Sequence, residues 1–432
     1  MFKTFLIIQC NYLKKSIKLT PILQLFSYLC SINISNMKVI HFITDEKFLN
    51  STIELFEEIE ELNNRYINII YDEDRPFQFI TSDKVEKINI SDIHDIITDP
   101  SVCDVIVIHN LSSLPCEQIM NIDKKIKVVW FSWGFDIYNN EKPQFPLITL
   151  KKQIFKKTFT PRYRIRILNE KRRAFFKNLF HKDYQGKKDF IQAIHRIDYY
   201  SGVFPIEYDY LKKNSFFRAK QILFSYPFNK GTINKDDLYK SANPNRDTIQ
   251  ISHSGTVLAN HGNTFWKLHQ LKIGNRKILV PLSYGGTHLY RSIVCKRGKQ
   301  LFGDNFMPLS SFVELDRYEL LIQSVSIAIH NTIRQIAVGN ILLNMWNGAK
   351  VFLPEDSINY KHFKSQGYHV FSIEKDLNQK EIDSLLSDEM IIDNRKKIIK
   401  YHSYEAIKEK TTNSFRQIAN DLNIPFSASP IS

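Results

Sequence analysis

The sequence predicts an α/β chain of two Rossmann-like lobes, each built on a parallel sheet. Short apolar runs alternate with longer helical patterns from Met37 onward, and the polar stretch 229–246, with its Gly and Pro, separates two such series. A length of 432 residues agrees with two or three domains. Hydrophobic content of 43% and charged content of 24% are those of an ordinary folded protein, which excludes disordered and fibrous classes. The expected layout is an extra N-terminal segment (1–36), a first lobe (37–228), a linker (229–246), a second lobe (247–400) and a terminal helix with its tail (401–432).

In the first series strands are predicted near Lys38–Ile43, Tyr66–Tyr71, Asp104–His109 and Ile126–Phe131, with helical spacing around Leu55–Leu62. The second series begins at Thr248. Lys277–Leu282 reads as a strand ending in a Gly285-Gly286 turn, followed by a helix through Tyr290 and Arg297. Asp316–Ser324 repeats the helical spacing, and Val325–His330 and Ala349–Leu353 read as strands. No internal repeat is visible.

Upstream of Met37, the apolar run Ile22–Ile32 is interrupted by Gln24, Ser27 and Ser31 and is shorter than the ~20 residues of a membrane span. No A-x-A-like cleavage site follows it. An over-extended start and a weak interfacial anchor are both compatible with it. Cys10, Cys30, Cys103, Cys116 and Cys295 are scattered without metal-ligand spacing and read as reduced cytosolic thiols.

The net charge of +14 is concentrated: Lys151–Asp189 holds 14 Lys/Arg against 3 Asp/Glu, interleaved with Phe155, Phe159, Phe175 and Phe176. Such a segment suits an anionic membrane surface, while a solvated basic hairpin is the plain alternative. No helix-turn-helix, RRM, KH or zinc-finger pattern accompanies it, so no nucleic-acid partner is expected.

The chemistry-bearing candidate is VSIAIHNTIRQIAVGNILLNMWNGAKVFL, Val325 to Leu353, which reads as strand, helix, strand. Thr332 and Gln335 match a capping box, which places a helix N-terminus there, suited to a phosphate anion. Arg334 in that turn offers a bidentate guanidinium. Gly339 and Asn340 then follow about a turn and a half later. An ordinary capped helix with Arg334 in solvent is the alternative. SHSGTVLANH, Ser252 to His261, is a small-polar turn after a strand, whose Ser252, Ser254 and Gly255 amides suit an anion nest. WFSWGFDIY puts Trp133, Asp136 and Tyr138 beyond another strand end, with Asp136 either a proton acceptor or a turn-former.

P-loop, dinucleotide-binding, zincin and α/β-hydrolase motifs are absent. Asp72-Glu73-Asp74 is read as an acidic turn rather than a metal site, so a metal-independent reaction without a cofactor is expected.

These segments together resemble the enterobacterial 4-acetamido-4,6-dideoxygalactosyltransferase family, glycosyltransferase family 56. VPLSYGGTHLYRSIVCKRGKQLFGDNFMPL and IAIHNTIRQIAVGNILLNMWNGAKVFL carry most of the likeness. WFSWGFDIY resembles the family's W-x-x-W-G-x-D-L-Y element, and SHSGTVLANH its G-N-S-x-x-x-x-N-N-H element. The likeness runs from about Met37 to about Ile373, dense in the second half. Ser252, His253, Ala259 and the added Gly286 depart from the pattern.

The resemblance implies a GT-B architecture, with parallel sheets facing a central cleft. It implies transfer of an N-acetylfucosamine-like sugar from a dTDP-sugar to a lipid-linked, polyprenyl diphosphate-bound saccharide at the cytoplasmic face of the inner membrane. By position it makes Ser254, Asn260, His261, Tyr284, Gly285, Arg334, Gln335, Gly339 and Asn340 donor-cleft candidates, and Trp133, Asp136 and Tyr138 residues of the opposite wall. Asp136 and His261 are the catalytic candidates. A nucleotide-sugar epimerase of the same fold, or a noncatalytic component of a polysaccharide assembly complex, are the competing readings.

Overall fold

The central strands of both lobes are apolar along nearly their whole length because helices cover both faces of each sheet, the arrangement that parallel strands require. A computed structural model describes residues 36–71, 75–138, 148, 155 and 184–426, with the side chains of 184–187, 315 and 316 left aside. Most of the basic segment, the Asp72–Asp74 turn and residues 1–35 lie outside the described residues.

The first lobe runs β1 (Met37–Ile43), α1 (Leu49–Glu57), β2 (Leu62–Ile70), β3 (Val85–Asn89), α2 (His94–Thr98), β4 (Val105–Ile108), α3 (Cys116–Asn121), β5 (Lys127–Phe131), α4 (Tyr184–Arg196), β6 (Tyr199–Ser201), α5 (Pro205–Leu211) and β7 (Lys220–Gln221). Its strands form one parallel sheet ordered β3-β2-β1-β4-β5-β6-β7. The helix expected around Leu55–Leu62 lies earlier, because the chain turns after Glu57 and Leu62 opens β2 opposite Met37. The seven-residue spacing of those two leucines therefore spans a helix and a strand.

The second lobe runs β8 (Thr248–Ile251), α6 (His261–Leu268), β9 (Ile278–Pro281), α7 (His288–Phe302), β10 (Phe306–Leu309), α8 (Leu315–Gln323), β11 (Val325–Ile329), α9 (Val338–Trp346), β12 (Lys350–Leu353), α10 (Ile358–Ser365), β13 (Val370–Ser372), α11 (Gln379–Ile382) and α12 (Asp388–His402). Its parallel sheet is ordered β10-β9-β8-β11-β12-β13. The same winding thus occurs twice without a sequence repeat. In each lobe the strand order reverses between the first and fourth strands, and a crevice opens at the carboxyl ends there.

A last helix, α13 (Tyr404–Leu422), returns to the first lobe. Its Ile407, Phe415, Ile418 and Ala419 join the core cluster of Val39, Phe56, Val107 and Phe131. Ser414 donates to Leu223 O at 2.8 Å and accepts from Leu223 N at 2.9 Å, while Asp421 receives Lys220 Nζ at 2.6 Å. The 229–246 stretch is held on the second lobe by Arg395 of α12, which donates to the carbonyls of Asp237 and Leu238 at 3.0 and 3.2 Å. Among the described residues no helix is long and apolar enough to cross a membrane.

Five histidines, His41, His109, His253, His261 and His330, are buried. Burial lowers each one's proton affinity: His41 to about 4, His261 and His330 to about 3, and His109 and His253 well below the usual value. The unfolded chain, with ordinary histidines near 6.5, binds more protons below that pH, so folding stability falls as pH drops. Buried Glu207 and Asp136, raised to about 7 and about 6, act in the opposite sense but are outnumbered. Each histidine then contributes a loss of about 1.4 kcal/mol per pH unit below ~6.5. The melting temperature is expected to fall steeply between pH 6.5 and 4.5 in a calorimetric series; a flat profile would contradict neutral burial.

Candidate functional site

At the end of β8 the backbone turns sharply, with Ser252 at φ 63°. The loop Ser252–Gly255 lies against the loop that follows β9, where Gly255 N donates to Tyr284 O at 2.8 Å. A Cβ on Gly286 would sit 2.0 Å from Gly255 O, and one on Gly255 would sit 2.6 Å from Arg291 Cγ. Gly285 and Gly286 both have positive φ, 73° and 65°. Gly286 is therefore what lets the two turns interlock. His253 stands over this junction, its Nε2 3.1 Å from Ser254 Oγ and its ring centroid 6.1 Å from that of Tyr284.

The third loop follows β11, and here the sequence expectation is corrected. Thr332 and Gln335 do not cap a helix: α9 starts at Val338, after Ala337 in the left-handed region at φ 67°. Tertiary bonds hold the intervening chain in a bent loop, since Ile358 N donates to Ile333 O at 3.0 Å and Asn359 Nδ2 to Ile336 O at 2.9 Å. The first-turn amides facing the crevice belong to Val338, Gly339 and Asn340, which have no acceptor within their helix. Asn340 accepts from Tyr318 OH at 2.6 Å, and Gly339 packs near Phe228.

Freed from capping, Thr332 Oγ1 and Gln335 Oε1 are buried without a hydrogen-bond partner, as is Arg334 Nε. Arg334 forms no ion pair among the described residues, and burial lowers its proton affinity, an effect that Tyr138 and Asp136 partly offset. A partly desolvated cation with no paired counter-charge gains from an anion that joins it. Asn260, in the left-handed region at φ 52°, ties the loops together by donating to Asn331 O at 2.9 Å and Leu258 O at 3.0 Å. His261 follows it at the start of α6, with Nδ1 3.1 Å from Tyr290 OH and a buried Nε2 that has no partner.

The first lobe meets these loops directly. A Cβ on Gly134 would lie 2.4 Å from Gln335 Oε1, and Gly134 has φ +83°, so only glycine lets the two lobes touch here. From the loop after β1, Lys47 Nζ reaches across to 4.7 Å from the Tyr284 ring. Burial depresses the proton affinity of His253, and His330, His261, Lys47 and Arg334 add to the effect.

The turn Ser132–Tyr138 divides between the cleft and the core. Asp136 is buried and accepts from Trp130 Nε1 at 2.9 Å, Trp133 N at 2.9 Å and Leu111 N at 3.3 Å. Burial raises it to about 6 against the pull of those donors. It thus fixes the turn, the second of its two sequence readings. Tyr138 is not on the cleft wall: it is 1% exposed and donates to Glu207 Oε1 at 2.7 Å. Trp133 is half-buried beside Phe135 and forms the accessible edge.

Sequence reasoning missed Lys47, His253 and His330 as members of this cluster. Only their positions directly after strand ends could have pointed to them. No group of three or more His, Cys, Asp or Glu side chains that could hold a metal occurs among the described residues.

No known family profile and no curated protein matches the sequence. Solved structures do match over the whole fold. Sucrose-phosphate synthase from Thermosynechococcus elongatus superposes with a TM-score of 0.58 at 10% identity, covering 89% of this chain and 100% of its own. HepE of Anabaena, solved with UDP and glucose, gives 0.57 at 9% identity over 88% and 100%. The lipopolysaccharide outer core galactosyltransferase WaaB gives 0.55 at 9% identity over 88% and 99%. At these identities the likeness establishes the fold: two parallel-sheet α/β lobes in the GT-B arrangement of glycosyltransferases.

Proposed function

We propose that this chain is a glycosyltransferase that moves an N-acetylfucosamine-like amino-deoxy sugar from a dTDP-sugar to a lipid-linked, polyprenyl diphosphate-bound saccharide. One observation carries the nucleotide-sugar part of the reading: half-buried Arg334 has no ion-pair partner among the described residues, and the orphaned Thr332 hydroxyl, which can donate, precedes it in the loop that leads to the first-turn amides of α9. These donors, at the strand-order reversal of the second lobe, support reading the loop as a diphosphate site. GT-B transferases share the fold, and one superposed neighbour was solved with UDP and glucose. The choice of sugar and acceptor rests on the family 56 resemblance.

In this reading Arg334, the α9 N-terminus and the Ser252–Gly255 loop neutralise the charge that develops on the departing diphosphate, the main electrostatic task of the transfer. Tyr284, Gly285, Asn260, Gly339 and Asn340 shape the pocket around the nucleotide. His261 is neutral at pH 7 and keeps Nε2 free, so it can take part in proton transfer. Asp136 acts by holding Trp133 in place. The protein works at the cytoplasmic face of the inner membrane, with the basic segment 151–189 against anionic lipid.

Arg334→Ala is expected to lower transfer by about 100- to 1,000-fold and to abolish the thermal shift produced by dTDP, while the melting temperature of the free protein stays within a few degrees. Near-wild-type transfer by that variant would remove the donor assignment. Among dTDP-, UDP- and GDP-sugars, the dTDP compounds are expected to give the largest shift; a clear preference for GDP would overturn the family-based donor. Reversing six of the positive charges between Lys151 and Lys188 is expected to release the protein from anionic vesicles in flotation, and unchanged flotation would refute the membrane face.

A further inference from the structure

Behind the first-lobe wall of the cleft runs a series of buried polar groups that neither the donor site nor the transfer step uses. It begins at Asn64 on β2. Asn64 Nδ2 donates to Phe56 O at 3.0 Å, which turns its Oδ1 toward His41 Nε2, 3.1 Å away. An amide oxygen only accepts, so His41 carries its proton on Nε2. Neutral His41 then offers Nδ1 as an acceptor, 3.0 Å from His109 Nε2, and His109 must donate. His109 Nδ1 is left as an acceptor and takes the Tyr226 hydroxyl proton at 2.9 Å. The Tyr226 oxygen in turn accepts from the Trp133 indole N–H, which can only donate. Each link leaves the next one a single choice.

The surroundings make that order rigid. His41 is 0% and His109 1% exposed. His41 packs on Phe56 and Tyr66 at centroid distances of 4.5 and 4.9 Å, and His109 meets Phe131 edge-on at 5.4 Å. Phe48, next to Lys47 in the loop after β1, closes over Trp133 and Tyr226 at 4.9 and 4.6 Å. Burial lowers the proton affinity of both histidines, so each is neutral near pH 7, as the order requires. A hydrogen-bonded network in so dry a core fixes its members' orientation more firmly than contacts in water would.

We infer that Asn64, His41, His109 and Tyr226 form a one-directional hydrogen-bond chain that positions the Trp133 indole as the acceptor-sugar platform of the cleft. The four are positioning residues, and Trp133 is the one that touches the ligand. Its ring stands beside Phe135, which is 37% exposed, and one residue from Gly134, where the lobes meet. A flat, half-buried indole with its N–H already engaged presents an apolar face, the surface on which the C–H face of a sugar ring packs. The ligand class is a saccharide, and its identification as the acceptor rests on the glycosyltransferase reading above.

Tyr226→Phe tests this, because it removes one hydroxyl and keeps the ring that packs on Phe48. Two readouts on the full-length protein separate the inference from that reading. The first is exchange of the Trp133 indole proton with solvent, followed by NMR. It is expected to quicken at least tenfold in Tyr226→Phe while the Trp130 indole, bound to Asp136, is unaffected; unchanged exchange at Trp133 overturns the chain whatever the protein's activity. The second is steady-state transfer to a polyprenyl diphosphate-linked disaccharide in detergent. KM for this acceptor is expected to rise roughly tenfold, the loss of one well-placed hydrogen bond, with KM for the dTDP-sugar within twofold of wild type. Equal changes in both constants would mark a merely structural role and sink the positioning claim. Should Tyr226→Phe fold poorly, Trp133→Phe provides the same split, and an unaltered acceptor KM there overturns the platform.

Discussion

Every described strand in this protein is parallel to its neighbours, and the rest of the architecture follows from that constraint. Parallel strands deliver all their carboxyl ends to one edge of the sheet, and each connecting helix must cross a face to start the next strand. Where the winding reverses, between β1 and β4 and between β8 and β11, two neighbouring loops leave in opposite directions and a crevice remains. The lobes place these two edges against each other, as Gly134 against Gln335 and Lys47 over Tyr284 show. The polar and charged groups of the cluster collect there because they have no place inside the sheets.

That cluster is held in an electrically unbalanced state. Burial removes the charge from His253, His261 and His330, while Arg334 pairs with no carboxylate among the described residues. Asp136, a carboxylate that acts on it electrostatically, is occupied by three N–H donors from Trp130, Trp133 and Leu111. Among the described residues the Arg334 guanidinium is therefore left without an ion pair. A site of this kind gains more from binding an anion than it would if an internal ion pair had to be broken first.

Much of the strand framework was legible because buried parallel strands are continuous apolar runs, and most of those in the second lobe fall within a residue or two of their expected places. The capping box at Thr332 and Gln335 misled because its pattern is local, whereas Ile333 and Ile336 are claimed by α10, more than twenty residues further on. Tyr138 looked like part of the cleft because it follows a strand end, but Glu207, 69 positions away, draws it inward. The pairing of His41 with His109 spans 68 positions and leaves no periodic trace. Local chemistry announces strands, turns and glycines; it says little about which distant polar groups will share a buried bond.

The return of α13 to the first lobe sets an order of events in the life of the chain. Val107 and Phe131 lie on a face whose cover includes Phe415 and Ile418, residues synthesised almost three hundred positions after the later of those two strands. A ribosome adding roughly 5–20 residues per second needs many seconds to bridge that gap. Until α13 emerges, the face of the first sheet that it covers lacks Phe415 and Ile418. The part of the protein made first is thus among the last to close.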